Sequence, residues 1–240
     1  MPQTGSRALV ATAIASSLHR ASGPCYFARR TMATRLQAHP WHGIPVGADA
    51  PAIVNAFIEL VPTDTVKYEI DKTSGHLKLD RPQQFSNVCP APYGFVPQTW
   101  CEQRVAAIAM ERTGRAGIVG DGDPLDVCVL TERPITHGAI LVRARPVGGL
   151  RLLDRGEADD KILAVLVDDP AFGAFRELAD VPSALVDRLR HYFLTYKDLP
   201  GATGPRRCEI SEVYGATAAH QVIRAAIADY QAGFPQSPQA

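Results

Sequence analysis

The sequence has no long run of like charges and no excess of either sign. Its 240 residues carry 25 basic and 25 acidic side chains, and no five consecutive residues share a charge. A surface for nucleic acid or an anionic membrane requires a concentration of positive charge. We therefore expect a small ligand, with neither nucleic acid nor a membrane as partner.

Cysteine is sparse, and long apolar segments are lacking. The five cysteines form no C-x-x-C pair, and such an odd, scattered set is not typical of a disulfide-bonded secreted domain. No apolar stretch reaches the roughly 18 to 20 residues that a membrane-spanning helix needs. These absences predict a soluble protein in a reducing compartment, the cytoplasm.

Acidic residues are absent from the first 48 positions, which include Arg7, Arg20, Arg29, Arg30 and Arg35 among alanines and serines. This composition is typical of a transit peptide, and residues 1–31 would then direct the protein to a mitochondrion or another organelle. The alternative is an extended or misassigned N-terminus, with Met32 as the true start. We assign 1–48 to an N-terminal extension and 49–235 to a single catalytic domain.

The remaining sequence has the pattern of a β protein with helices near its end. Apolar and charged residues alternate over 66–71, and Thr73-Ser74-Gly75 predicts a turn into a second strand at 76–80. This hairpin would place Lys67 and Glu69 side by side. Further strands are predicted at 127–130, 140–145, 147–153 and 161–167.

Helical periodicity follows Pro182, with Ser183 as a candidate cap and Pro200-Gly201 as the stop. A second helix is indicated between Ala219 and Tyr230. The expected fold is mainly β with flanking helices (α+β), with the strands forming a closed or partly closed barrel.

Three carboxylates fall within six residues in Gly120-Asp121-Gly122-Asp123-Pro124-Leu125-Asp126, directly before a strand. At the mouth of a buried strand they would raise one another's pKa unless a multivalent cation compensates. Oxygen ligands favour magnesium, manganese or calcium over zinc. An EF-hand loop is excluded by Leu125 and Asp126 at its fifth and sixth positions, whereas an acidic surface turn stays an alternative.

A second acidic turn is predicted where Asp154 and Asp159 flank residues 155–158. If both acidic segments open at one end of a barrel, five carboxylates converge and can hold several magnesium ions. An ordinary acidic hairpin turn is the alternative.

Several basic and phenolic side chains could bind a phosphate-bearing anion, although each also has an ordinary structural explanation. They are Lys67, Arg81, Tyr93, Lys161, Tyr196 and Lys197. The G-x-x-x-x-G-K-[ST] phosphate loop is absent, which argues against a nucleotide hydrolase of that kind.

An ordered series of motifs over about 56–230 resembles the family I soluble inorganic pyrophosphatases. The series is Ile58-Glu59, Lys67-Tyr68-Glu69-Ile70-Asp71-Lys72, Asp80-Arg81, Pro92-Tyr93-Gly94-Phe95, the block 121–126, Arg145-Pro146-Val147-Gly148, the segment 154–161 and Tyr196-Lys197-Asp198-Leu199. The resemblance implies an OB-like five-stranded β-barrel and magnesium-dependent hydrolysis of inorganic diphosphate by a homo-oligomer. Manganese is the alternative metal.

The resemblance also implies roles for individual residues. Asp121, Asp126 and Asp159 would bind the two ions that activate water, Asp154 would help to hold ions that arrive with diphosphate, and Asp123 would be the general base. Glu59 and Glu69 would be outer acids of the site. The substrate phosphates would contact Lys67, Arg81, Tyr93, Lys161, Tyr196 and Lys197.

The segment 102–119 departs from the compact members of the family and lacks strand periodicity, so we expect a surface insertion there. The rival function is a non-catalytic interaction scaffold that keeps the pyrophosphatase fold. A binder of single-stranded nucleic acid would need a basic groove with exposed aromatic residues, which the even charge opposes.

Overall fold

Paired β-strands form the centre of the molecule in the computed structural model, which describes residues 38–198, 201, 203 and 206–235. The transit-peptide alternative for residues 1–31, Cys25, Leu199 and the predicted helix stop at Pro200 lie outside the described residues. No helix among the described residues has the length and apolar character needed to cross a bilayer.

The described part of the chain is mainly β with flanking helices, as predicted. Its strands are β1 (Val54–Leu60), β2 (Val66–Ile70), β3 (Leu77–Pro82), β4 (Tyr93–Phe95), β5 (Val119–Gly120), β6 (Asp126–Leu130), β7 (Ile140–Asp154), β8 (Glu157–Ala158), β9 (Lys161–Leu166) and β10 (Cys208–Gly215). The α-helices are α1 (Gln103–Thr113), α2 (Ser183–Thr195) and α3 (Ala216–Gly233), and a 3-10 helix covers Leu178–Asp180.

Five of the strands pair in a closed cycle. Strand β1 pairs antiparallel with β4 and with β7, and β4 pairs antiparallel with β6. Strand β9 pairs parallel with β6 and antiparallel with β7. Each of these five strands therefore has two neighbours within the cycle, while β7 also pairs with β8 and β10. The parallel pair brings the starts of β6 and β9 to the same end of the cycle.

The long strand β7 corrects one prediction. The sequence predicted two strands, 140–145 and 147–153, but the chain continues through Pro146 as one strand of 15 residues. The pairing with β9 shifts register between Pro146 and Gly148. Proline lacks a backbone N–H, and such an irregularity is where a strand tolerates that loss.

The predicted hairpin is confirmed by the antiparallel pairing of β2 with β3. In its turn, the backbone N–H of Ser74 donates to Oδ1 of Asp71 at 2.8 Å. Gly75 has a φ of 75°, which glycine adopts without a steric penalty. Lys67 and Glu69 lie side by side as predicted, with 2.9 Å between Nζ and Oε2.

The strands bury apolar side chains on both faces, and successive residues point to opposite faces. On β6, Val127 and Val129 join a cluster that includes α1 and α3, whereas Cys128 and Leu130 join a second cluster that includes α2. Helices therefore cover the sheet from two sides, and they leave one end of the strands open.

Helix α1 corrects the expectation of a surface insertion at 102–119. Its residues Val105, Ala106 and Ala109 are buried. No local side chain caps its first turn. Instead, the carboxylate of Asp229 on α3 accepts a hydrogen bond from the backbone N–H of Arg104 at 2.9 Å.

Helices α2 and α3 occur where the periodicity predicted them. The prediction that Ser183 caps α2 is wrong. Ser183 is the first residue of the helix, Pro182 occupies the N-cap position, and no side-chain hydrogen bond caps the helix. Proline fits there because its ring fixes φ near the helical value and its missing N–H would be unpaired anyway.

The segment 38–48 packs against the rest of the described chain. Trp41 is only 3% exposed, and its indole N–H donates to the carbonyl of Thr99 at 2.8 Å. The indole also meets the ring of Phe234 edge-on at 5.3 Å between centroids. Packing therefore continues across residue 48, where the domain boundary was predicted.

Candidate active site

The open end of the strand cycle carries an acidic cleft. Strands β6 and β9 start side by side there, and Asp126 is the register partner of Lys161. The loop before β6, the turn between β7 and β8, and the end of α2 surround these two residues. The cleft has a volume of about 170 Å³.

Eleven of the thirteen predicted site residues line this cleft, including all five aspartates of the two acidic segments. They are Lys67, Arg81, Tyr93, Asp121, Asp123, Asp126, Asp154, Asp159, Lys161, Tyr196 and Lys197. Residues more than 100 positions apart in the sequence thus meet in one place.

Lys161 lies at the centre of the acidic group. Its side chain is 2% exposed, and its ammonium forms ion pairs with Asp126 and Asp159. Burial alone would lower the pKa of Lys161, but the two carboxylates raise it well above its usual value. Lys161 therefore stays positively charged in the lining of the cleft.

The carboxylates nevertheless exceed the positive charge that faces them. Burial and the charge of Asp159 raise the pKa of Asp121 to about 9. Burial likewise raises the pKa of Asp126, with a further contribution from Asp159. For Asp159, burial opposes ionisation, but Lys161 lowers its pKa overall. Without added cations, Asp159 is thus the carboxylate whose ionised form is favoured, whereas the protonated forms of Asp121 and Asp126 are favoured.

Asp154 is a further carboxylate, and its two oxygens differ in their hydrogen bonding. Its Oδ2 accepts a hydrogen bond from Lys197 at 2.5 Å, whereas its buried Oδ1 has no hydrogen-bond partner among the residues that the structure describes. Among the described residues no three His, Cys, Asp or Glu side chains form a preformed metal cage. The oxygen-only donor set, its excess charge and the unpartnered oxygen fit hard divalent cations such as Mg²⁺ or Mn²⁺.

Asp123 occupies the rim of the cleft. Its carboxylate is 50% exposed and pairs with the ammonium of Lys72 from the β2–β3 turn. Its backbone N–H donates to Oδ1 of Asp121 at 2.9 Å. This local hydrogen bond holds the Asp121 carboxylate against the backbone of residue 123.

The hairpin contributes two cations to the cleft. Lys67 lies 2.9 Å from Glu69 and 3.2 Å from Asp80 between Nζ and the carboxylate oxygens, and Arg81 also pairs with Asp80. Burial would lower the pKa of Lys67, but the hydrogen bond and charge of Glu69 raise it. Lys67 therefore stays charged although it is partly buried.

The two predicted outer acids do not line the cleft. Glu69 pairs with Lys67 and with Lys78 on the neighbouring strand. Glu59 is buried behind the hairpin, where its Oε1 accepts a hydrogen bond from the backbone N–H of Ile70 at 2.6 Å. Burial raises the pKa of Glu59 to about 8.

Phenols and aromatic rings form the remaining wall. The hydroxyl of Tyr93 donates to Oδ2 of Asp126 at 2.5 Å. Burial raises the pKa of both Tyr93 and Tyr196 well above the usual value. Both phenols therefore keep their protons and can act as hydrogen-bond donors.

Sequence reasoning missed several residues that the structure brings to the site. Glu157, Tyr192 and Phe193 line the cleft, and Lys72 reaches Asp123. Tyr192 and Phe193 belong to the apolar stripe of α2, so their pattern indicated only core packing. The position of Lys72 at the end of the predicted hairpin strand was the one signal that could have suggested its role.

Comparison with known proteins identifies the family. A family model described as inorganic pyrophosphatase matches residues 56–231. This chain belongs to the inorganic pyrophosphatase family. The predicted resemblance and the predicted enzyme class, a hydrolase of phosphoric anhydrides, are thereby confirmed.

Individual inorganic pyrophosphatases match most of the chain. The inorganic pyrophosphatase of Chlamydia muridarum is 49% identical over 195 residues, which cover 80% of this chain and 93% of the relative. The soluble inorganic pyrophosphatase of Oryza sativa subsp. japonica is 40% identical over 160 residues, or 67% of this chain and 66% of the relative.

Solved structures agree with the sequence matches. The crystal structure of inorganic pyrophosphatase from Thermus thermophilus has a TM-score of 0.67 and 31% sequence identity, and the match covers 81% of this chain and 99% of that one. The inorganic pyrophosphatase fold therefore extends over most of the described residues. The rival scaffold reading receives no support from any of these matches.

Proposed function

We propose that this chain hydrolyses inorganic diphosphate to two phosphates with a water molecule activated by magnesium, or alternatively by manganese. The observation that carries the proposal is the excess of buried carboxylate over positive charge in a cleft whose rim is lined by cations. Divalent cations would balance such a cleft without protonation of its carboxylates, and phosphoryl transfer requires mainly positioning and charge neutralisation.

Asp121, Asp126, Asp159 and Asp154 are the proposed holders of the cations. When bound, divalent cations lower the pKa of a coordinated water and neutralise charge on the phosphates. The unpartnered Oδ1 of Asp154 and the raised pKa of Asp121 support this assignment, because both groups gain from an added positive charge. Glu59 and Glu69 complete the outer acidic layer.

Asp123 is the proposed general base. It lines the cleft and is half exposed, so a substrate water can reach it. Asp123 takes a proton from this water, the water oxygen attacks one phosphorus, and the bond to the bridging oxygen breaks with its electron pair leaving on the second phosphate. No covalent enzyme intermediate is needed.

The cations and phenols of the cleft are proposed to bind the substrate phosphates. Lys67, Arg81, Lys161 and Lys197 supply charge, and Tyr93 and Tyr196 donate hydrogen bonds because their hydroxyls stay protonated. Negative charge develops on the leaving phosphate as the bridging bond breaks. Groups that neutralise this charge stabilise the transition state more than the substrate.

Phosphate release from diphosphate by Asp123→Asn tests the proposal. The exchange keeps the shape of the side chain and removes its basicity, so turnover should fall about 10²-fold or more with an unchanged thermal unfolding curve. Asp187→Asn on the exposed side of α2 is the matched control. Wild-type release should require millimolar magnesium and stop with a chelator.

Two results would contradict the proposal. Near-normal turnover by Asp123→Asn would remove this residue from its role. No phosphate release by folded wild-type protein with magnesium would favour the non-catalytic scaffold instead.

We further propose that the closed cycle of five strands is an OB-like β-barrel and that the enzyme is a homo-oligomer in the cytoplasm. Exposed apolar residues such as Val119 and Leu141 offer surface for contacts between subunits. The four cysteines in the described part of the chain are buried and unpaired, which supports a reducing compartment. Light scattering of the purified protein would give the subunit number.

A further inference from the structure

A second concavity adjoins the active-site cleft, and we call it the outer recess. Its lining is Arg81, Gln84, Asp154, Arg155, Lys197 and Arg207. Three of these residues, Arg81, Asp154 and Lys197, also line the cleft. The two spaces are therefore adjacent, and the same three side chains face both of them.

The outer recess is strongly basic, with four cationic side chains and one carboxylate. That carboxylate, Asp154, is already bound by Lys197. Arg207 is held by Asp198, through 3.6 Å between its Nε and Oδ1 and a 3.0 Å hydrogen bond from its backbone N–H to Oδ2, and among the described residues its terminal guanidinium nitrogens form no ion pair. Arg155 takes part in no ion pair with another described residue. Two guanidinium groups are therefore available to an anion at the outer edge.

The backbone holds these two arginines next to each other. The N–H of Arg155 donates to the carbonyl of Arg207 at 2.9 Å, which ties the β7–β8 turn to the segment before β10. Arg155 has a φ of 53° and Gly156 a φ of 92°. Tight turns with two such residues favour Asn, Asp or Gly at the first position. Glycine would adopt this conformation without the steric penalty that arginine incurs.

We propose that the outer recess binds the third phosphoryl group of linear tripolyphosphate, while the first two groups occupy the cleft. This inference rests on the proposed function, because the cleft must first accept a diphosphate unit. Planar guanidinium groups match the geometry of phosphate oxygens, and two of them beyond Lys197 give the third group charge-assisted hydrogen bonds. Diphosphate itself is too short to use both spaces.

Inhibition of diphosphate hydrolysis by magnesium tripolyphosphate at fixed ionic strength tests the inference. Arg155→Ala and Arg207→Ala should each raise the inhibition constant about tenfold, as expected for one lost charge-assisted contact. The kcat/KM for diphosphate should change by less than about twofold in the same variants. Arg133→Ala, an 85% exposed arginine paired only with its neighbour Glu132 among the described residues, is the matched control.

Arg155→Gly separates binding from folding. Glycine adopts the left-handed conformation freely, so this variant should unfold at the same temperature as wild type or higher. It should nevertheless show the same tenfold loss of tripolyphosphate inhibition as Arg155→Ala. Arg155→Lys should recover part of the loss, because it restores charge but not the planar fork.

Inhibition by inorganic phosphate distinguishes a third phosphoryl group from a free anion. Inhibition by inorganic phosphate should be unchanged in all variants, because a single phosphate bound in the cleft does not reach the outer recess. Unchanged tripolyphosphate inhibition in variants with normal diphosphate turnover would overturn the outer subsite alone. An equal loss of phosphate and tripolyphosphate inhibition would also overturn it. Absence of diphosphate hydrolysis in wild type would instead overturn the proposed function.

Discussion

At the scale of single residues, the site combines acids that resist ionisation with cations that keep their charge. Burial raises the pKa of Glu59 to about 8 and that of Asp121 to about 9. Lys161 and Lys67 keep raised pKa values because carboxylates surround them. Without bound cations, the cleft therefore limits its own negative charge by holding protons.

Glu59 gives a prediction for the pH dependence of stability. Its pKa rises from about 4.3 in an unfolded chain to about 8 in the fold. The folded state thus holds the proton more tightly, and this contribution to stability is complete below about pH 4.3 and is lost as the pH rises through about 8. In a chelating buffer, the unfolding temperature of wild type should fall from pH 6 to pH 9.

Glu59→Gln should flatten that decline, because the amide stays neutral and its oxygen can still accept the Ile70 N–H. The advantage of the variant should grow with pH, to on the order of a few kcal/mol at pH 9. Glu209→Gln is the control, because Arg115 lowers the pKa of Glu209 and its effect should be constant over this range. If the unfolding temperatures of wild type and Glu59→Gln fell in parallel with pH, Glu59 would not hold the proton that we assign to it.

Motifs predicted which residues gather at the cleft better than which contacts they make. The block 121–126 and the segment 154–161 each lie at the end of a predicted strand. The sequence could therefore predict that their aspartates lie close together. The pairing of Lys72 with Asp123 depends on how the β2–β3 turn bends over the rim. That bend is set by tertiary contacts, which a periodic pattern does not encode.

At the scale of elements, α1 is stabilised by another helix. Asp229 on α3 is 2% exposed, and its oxygens accept hydrogen bonds from the backbone N–H groups of Glu102, Arg104 and Val105 and from the Arg104 guanidinium. These N–H groups have no partner within α1, and a negative charge at this end also favours the helix dipole.

Asp229→Ala should therefore destabilise the protein by about 1–2 kcal/mol, which corresponds to about 2–8 °C in unfolding temperature. Circular dichroism during heating would measure the change. Asp187→Ala on α2 removes a carboxylate that is 64% exposed and should cost less than about 0.5 kcal/mol. Equal effects of the two substitutions would show that the interhelical cap contributes nothing.

The distant cap also explains why the sequence did not predict α1. Its N-terminus lacks a neighbouring Ser, Thr, Asp or Asn that caps it, and its buried face consists of Val105 and small alanines. The stabilising carboxylate lies more than 100 residues later. Similarly, Pro146 suggested a strand break because only the pairing with β9 reveals the irregularity that accommodates it.

At the scale of the whole molecule, the sequence could predict a mainly β fold but not which strands pair in the cycle. The alternation of apolar residues indicated β structure, but the order of pairing joins strands from Val54 to Leu166. The parallel pairing of β6 with β9 then places Asp126 beside Lys161. Pairs so distant in sequence are fixed by the packing of the complete fold.

Trp41 tests how firmly segment 38–48 belongs to that fold. Trp41→Ala should cost about 3 kcal/mol, the scale for a buried large aromatic side chain. Trp41→Phe should cost about 1 kcal/mol, because it keeps most of the ring contacts and loses the hydrogen bond to Thr99. Urea unfolding would measure both. A loss below about 0.5 kcal/mol for the alanine variant would show that this segment adds little.

The position of Trp41 has a spectroscopic consequence. The protein has two tryptophans, and both indoles meet the ring of Phe234 edge-on at 5.3 Å between centroids. Neither lines the active-site cleft. Intrinsic fluorescence excited in the indole band should therefore respond when segment 38–48 leaves the surface of α3 and stay nearly constant when diphosphate binds, so that one optical signal follows undocking separately from turnover.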